Sequence, residues 1–98
     1  METREEAPSE KGQIVYLAEV KPKALKELQA LPVAAQVMAV ELIDALESDP
    51  RPRGCKKLFG PKDRWRIRFG DYHILYEIDD DEKVVTIFRV LHRKEAYR

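Results

Sequence analysis

Apolar and polar positions change period twice along this chain. Ile14-Val15-Tyr16-Leu17-Ala18-Glu19-Val20 is a short apolar run with β-branched and aromatic members, which predicts a strand. Lys21-Pro22 then opens a helix, because proline in a first turn forfeits no intrahelical hydrogen bond. Leu25, Leu28 and Leu31 recur at helical spacing, and Pro32 ends the segment. Val33, Val37, Val40, Ile43 and Leu46 predict an apolar stripe on a second helix from about Val33 to Glu47, stopped by Ser48-Asp49-Pro50. So short a link makes the pair a helical hairpin.

Beyond Pro50 the period changes to two. Arg51 to Asp63 reads as a loop rich in Pro, Gly and cations. From Arg64 to Phe69, Trp65, Ile67 and Phe69 take one face and Arg64, Arg66 and Arg68 the other. Gly70-Asp71 suits a two-residue hairpin turn with glycine first. Tyr72 to Ile78 follows as a strand with His73, Leu75 and Glu77 opposite Tyr72, Ile74, Tyr76 and Ile78. An acidic turn, Asp79 to Glu82, leads into a last strand from Val84 to about Leu91. The expected architecture is α+β, in the order β-α-α-β-β-β, with the helical hairpin packed on a twisted, mainly antiparallel four-stranded sheet. Residues 1–12 read as a flexible N-terminal tail and 13–98 as a single domain, since 98 residues support one modest core.

The hairpin turn sets the register. If Gly70 and Asp71 are the turn, Phe69 faces Tyr72, Arg68 faces His73 and Arg66 faces Leu75. Directly opposed residues share a side of the sheet, so Arg66, Arg68 and His73 gather on one face while Trp65, Ile67, Phe69, Ile74 and Tyr76 lie beneath the helices. Such a cluster calls for solvent or an anion.

Charge sharpens this picture. The formal net charge is zero, but its distribution is segregated. Arg51 to Arg68 holds eight cations against one anion, residues 71–83 hold six acids against one lysine, and the last ten residues hold four cations against one acid. The charge pattern therefore describes a polar molecule with a basic face. No apolar run is long enough for a membrane span, and the N-terminus lacks a signal-peptide core. The lone Cys55 forms no internal disulfide, so a reducing cytoplasm is expected.

His92-Arg93-Lys94-Glu95-Ala96-Tyr97-Arg98 abuts the last strand and places two adjacent cations, an imidazole and a phenol near the basic face. Cations with an aromatic ring suit a phosphate and a stacked base, which points toward RNA. His92 by itself reads as a structural or surface histidine, Cys55 as incidental and Trp65 as core. No Cys/His spacing of a metal site occurs, and no metal or cofactor is expected.

Trp65-Arg66-Ile67-Arg68, Asp71-Tyr72-His73-Ile74-Leu75-Tyr76-Glu77-Ile78 and the terminal seven residues resemble the RelE/ParE superfamily of toxin–antitoxin toxins, and within it the RelE branch. The resemblance spans Val15 to Arg98. It implies a metal-independent, ribosome-dependent endoribonuclease that cuts translated mRNA in the decoding site and is silenced by an antitoxin that wraps it. By that resemblance Arg66, Arg68, His73 and Arg93 surround the scissile phosphate and Tyr97 stacks on an mRNA base. Arg53, Lys56, Lys57, Arg64, Lys94 and Arg98 meet mRNA or ribosomal RNA. His73 stands where an arginine is common, and arginine replaces the strand lysine that relatives offer as a base. His73 is then either the proton acceptor or only a phosphate ligand. Two other functions belong to the same fold: a ParE-like gyrase inhibitor that cuts no RNA, and a non-enzymatic module that binds antitoxin or nucleic acid.

Overall fold

The computed structural model describes residues 15–96, with side chains through Lys94. The N-terminal tail, Ile14, Tyr97 and Arg98 lie outside the described residues. In chain order the elements are β1 (Leu17–Val20), α1 (Pro22–Gln29), α2 (Val33–Leu46), β2 (Lys56–Lys57), β3 (Arg64–Phe69), β4 (Tyr72–Asp79), β5 (Val84–His92) and α3 (Arg93–Ala96). They form a five-stranded sheet in the order β1-β5-β4-β3-β2, with β1 parallel to β5 and every other pairing antiparallel.

The helical hairpin and all four expected strands are present, the first shortened to Leu17–Val20. Four strands were expected and five are present. Lys56 and Lys57, inside the expected loop, pair with Arg66 and Trp65 as β2. Two exposed lysines carry no alternation, so the partner strand alone specifies them. Val15 and Tyr16, expected in β1, instead donate their N–H groups to the Glu47 carbonyl at 3.0 and 2.9 Å, which ties the strand entrance to the end of α2.

The helices also turn differently from the expected stripes. On α1, Ala24 and Leu28 are buried and Leu25 is exposed. On α2, Ala39, Ile43 and Leu46 face the sheet, whereas Val37 and Val40 are exposed and Val33 is 76% exposed. Apolar residues surround α2, so spacing alone does not choose its inner face. The small side chains of Ala24 and Ala39, each with no exposed surface, let both helices lie close to the sheet.

Beneath them, Ile67, Phe69, Ile74, Tyr76, Ile78, Val85, Ile87 and Val90 complete the core. The Tyr76 hydroxyl donates to the Pro50 carbonyl at 2.7 Å, fixing the end of the α2 connection against β4. Burial pushes that phenol well above its ordinary pKa.

The β3–β4 register is the expected one: Phe69 opposite Tyr72, Arg68 opposite His73, Arg66 opposite Leu75. Gly70 has φ of 55°, and Asp71 is not among the residues with positive φ. A positive φ at the first central position alone matches a type II′ turn, which favours glycine there. Between β4 and β5 the register slips once. Leu75 faces Arg89 but Tyr76 faces Ile87, leaving Phe88 as the extra residue of a β-bulge.

At the other edge, β1 ends at Val20 while β5 continues. The Lys21 N–H still reaches the Ile87 carbonyl at 2.9 Å. Past that point Glu27 of α1 takes over, accepting the Val90 N–H at 2.8 Å and the Arg89 Nε–H at 2.9 Å. A helix carboxylate thus stands in for the missing strand.

Candidate nucleic-acid interface

The sheet face away from the helices carries the chemistry, and the pairing places its residues in rows. One row runs Lys56, Arg66, Leu75 and Arg89 across β2, β3, β4 and β5. The next runs Arg68, His73 and Leu91. Arg64 and Glu77 lie in the row on the other side of Arg66. Lys56 therefore joins the expected cluster through a strand that the sequence pattern had hidden.

His73 is 1% exposed, in contrast to the open basic face anticipated for it. It is flanked in register by Arg68 on β3 and Leu91 on β5. Burial, then the charges of Arg66 and Arg68, hold its imidazole below the ordinary histidine pKa. A proton there would be both desolvated and repelled, so the fold disfavours the charged imidazolium.

The C-terminal segment reaches this end of the sheet by way of the β3–β4 turn. The Arg93 N–H donates to the Asp71 carbonyl at 2.6 Å, and its Nε lies 3.8 Å from the Asp71 carboxylate. Arg68 Nε donates to the Gly70 carbonyl at 3.2 Å. Both arginines are thus oriented by one two-residue turn beside His73. His92 ends β5 edge-on to the Tyr72 ring at 5.5 Å, and its Nδ1 accepts the Lys94 N–H at 3.2 Å, capping α3. These two contacts hold the ring at the junction of β5 and α3.

Several expected RNA contacts are already engaged within the protein. Arg64 Nε donates to Glu77 at 3.1 Å, and its guanidinium lies 4.5 Å from the centroid of the Phe88 ring. Lys57 pairs with Asp63 at 2.8 Å. Arg51 bridges Asp63 at 2.6 Å and Asp80 at 2.8 Å, while Trp65 donates its indole N–H to Asp63 at 2.8 Å. Burial raises the Asp63 pKa, but the hydrogen bonds from Lys57, Trp65 and Arg51 outweigh it and hold the carboxyl below its ordinary range. Arg53, Lys56, Arg68 and Lys94 remain exposed on the surface. Among the described residues no cluster of His, Cys, Asp and Glu groups forms a metal-binding set, and no helix is long and apolar enough to cross a membrane.

Residues 18–97 match the family model described as the ParE toxin of the type II toxin–antitoxin system parDE. The chain belongs to the RelE/ParE superfamily of toxin–antitoxin toxins. Its fold superposes with a TM-score of 0.75 on the archaeal RelE in the RelE–RelB complex of Pyrococcus horikoshii, at 33% identity, covering 82% of this chain and 97% of that one. The RelBE2 toxin–antitoxin complex of Mycobacterium tuberculosis gives a TM-score of 0.72 at 32% identity, covering 82% and 100%. The RelE1 protein of Methanocaldococcus jannaschii is 29% identical over 86 residues, 85% of this chain and 96% of its own length.

Within this RelE/ParE toxin, two residues at the interface escaped the sequence reading. Asp71 reads in the sequence as a turn residue, and in the structure it also fastens Arg93. Phe59 lies in the expected loop, and its ring is fully exposed. For Asp71 the signal was present, because a two-residue turn beside a cationic strand puts its carboxylate within reach of cations. For Phe59 there was none, since an aromatic in a short loop is usually buried.

Proposed function

We propose that this toxin is a metal-independent endoribonuclease that cuts translated mRNA on the ribosome. The observation that carries the reading is a buried His73 in register with Arg68 and next to the Arg66 row, with Arg93 anchored at the adjoining turn. Cleavage of this kind needs the ribose 2′-oxygen to attack the neighbouring phosphorus while the bond to the 5′-oxygen breaks. The products are a 2′,3′-cyclic phosphate and a free 5′-hydroxyl. A base takes the 2′-hydroxyl proton, an acid protonates the leaving oxygen, and cations stabilise the charge of the phosphorane.

Arg66, Arg68 and Arg93 supply the cations. Guanidinium groups match the equatorial oxygens of a phosphorane and stay protonated throughout, so none of them serves as the base. His73 is the one group among these four whose neutral form can accept a proton, and burial and the two strand arginines work against that protonated form. At 1% exposure it meets a 2′-hydroxyl only if the side chains over it move aside. The same burial suits a second role, in which His73 props the two strand arginines and the ribosome assists proton transfer. Lys56 extends the row along β2, Tyr97 is assigned to stacking on a base, and Arg53, Lys57, Arg64, Lys94 and Arg98 to ribosomal or messenger RNA.

A protein antitoxin is the natural antagonist, as in the RelE–RelB and RelBE2 complexes of its relatives. The outward valines of α2 and the basic sheet face offer such a partner both apolar and charged contacts.

Gyrase inhibition is the second reading, supported by the ParE description of the matching family model. Expression in growing cells with primer extension on a translated reporter separates the two. Codon-phased cuts that vanish in Arg93→Ala support the nuclease. Growth arrest with intact mRNA and altered DNA supercoiling supports the gyrase inhibitor.

A further inference from the structure

We propose that Phe59 is a stacking platform for an unpaired RNA base, with the surrounding lysines holding the adjoining phosphates. The inference deepens the ribonuclease reading by assigning a second RNA contact outside the phosphate cluster.

The ring is 108% exposed relative to a free residue, so nothing in the protein covers it. It is nevertheless held on a fixed support. The loop joins β2 to β3, and its ends are pinned by the Leu58 N–H on the Arg64 carbonyl at 2.8 Å and the Arg64 N–H on the Lys62 carbonyl at 2.9 Å. Leu58 turns partly inward, and Gly60, at φ of 134°, makes a bend that other residues rarely adopt. Pro61 stiffens the far side. Lys57, Leu58, Phe59, Gly60 and Pro61 line an open hollow of about 560 Å³.

Other aromatic rings near the basic face are already occupied. Trp65 has Arg51 at 5.5 Å and Lys57 at 5.3 Å from its ring centroid. Tyr72 lies 5.5 Å from both Phe69 and His92. Phe59 is the one aromatic side chain among the described residues that stands fully open.

Its neighbourhood selects RNA. Arg53, Lys56, Lys57 and Lys62 surround it in sequence, and the one nearby acid, Asp63, already binds Arg51, Lys57 and Trp65. The apolar area here is confined to Leu58, Phe59 and Pro61 beside Lys57, and a single base needs only one ring face. Lys56 stands opposite Arg66, so the platform hangs from the row that leads to the phosphate cluster.

The test compares wild type with Phe59→Tyr, Phe59→Leu and Phe59→Ala in binding a labelled single-stranded RNA oligonucleotide, ribosomes and the purified antitoxin. Loss of one stacking contact weakens RNA binding about 5- to 150-fold. Phe59→Tyr is expected to bind like wild type, and Phe59→Leu and Phe59→Ala to show that loss. The salt dependence of binding should stay constant, because it counts phosphates rather than bases. Equal RNA and ribosome binding by Phe59→Leu overturns the proposal, as does a loss confined to the antitoxin. The ring is exposed, so equal melting temperatures are expected and confirm that folding is intact. If wild type binds RNA through Phe59 but leaves ribosome-bound mRNA uncut, the nuclease reading falls and the platform stands.

Discussion

The Arg93 N–H and the Asp71 carbonyl lie 2.6 Å apart, fastening the start of α3 to the turn between β3 and β4. The Gly70 carbonyl of that turn accepts from Arg68. The Arg68 guanidinium and the Arg93 backbone, far apart in sequence, are therefore held by adjacent carbonyls, and the turn is the hub of the candidate site.

Because the anchor is a backbone bond, Arg93→Ala removes the charge and leaves the anchor in place. The substitution should lower single-turnover cleavage of ribosome-bound mRNA by roughly 10²- to 10³-fold, as expected for one charge-stabilising donor. Its melting temperature should stay close to wild type. A large fall in melting temperature would instead make Arg93 a structural residue.

His73→Gln separates the two roles of the imidazole. If His73 takes the 2′-hydroxyl proton, the rate should drop about 10²- to 10⁴-fold and the acidic limb of the pH–rate profile should disappear. A rate near wild type would exclude proton transfer and leave the positioning role.

The same residue makes stability depend on pH. Its folded pKa lies below the ordinary 6.5, so on acidification the unfolded chain takes up a proton first. Stability contributed by neutral His73 is complete above pH 6.5 and is lost as pH falls toward the folded pKa. Urea unfolding at steps from pH 7.5 to about 5 should show this decline in wild type, and His73→Gln should flatten it. Asp63 and Asp80 act at lower pH, because their lowered pKa values give stability that is lost only below the ordinary 3.8.

Tyr76→Phe keeps the ring in the core but deprives the Pro50 carbonyl of its donor. It should destabilise the fold by about 1–3 kcal/mol, the cost of one unsatisfied buried polar group. The urea midpoint should fall while the slope of the transition is unchanged.

Glu27→Ala exposes the edge of β5 where β1 has stopped. The Val90 N–H and the Arg89 guanidinium both lose their acceptor, at a cost of about 1–3 kcal/mol. Hydrogen exchange at Val90 should accelerate more than at Ile74 in the centre of the sheet. Uniform exchange at the two positions would argue against the edge-capping role.

Local signals made much of this arrangement readable from sequence. Gly70-Asp71 dictated the pairing of Arg68 with His73, since a two-residue turn leaves one register. Strand alternation in β3 and β4 then separated core from basic face. The inner face of α2 was hidden, because valines and alanines surround the helix and only contact with the sheet chooses between them. β2 was hidden because a partner strand makes it. The Arg51–Asp63–Asp80 network depends on residues brought together across the loop and turn, which no local spacing encodes. The burial of His73 likewise needed the whole sheet.

The extra residue at Phe88 makes β5 a strand with two phases. Val90 faces the core in one phase; Val85 and Ile87 face it in the other. Deleting Phe88 would merge the phases and turn either the half that pairs with β1 or the half that carries Leu91 and His92 to the wrong side. A substitution at that position trims one side chain, but a deletion changes the reading frame of the sheet. At that position the length of the strand matters more to the sheet than the identity of the side chain.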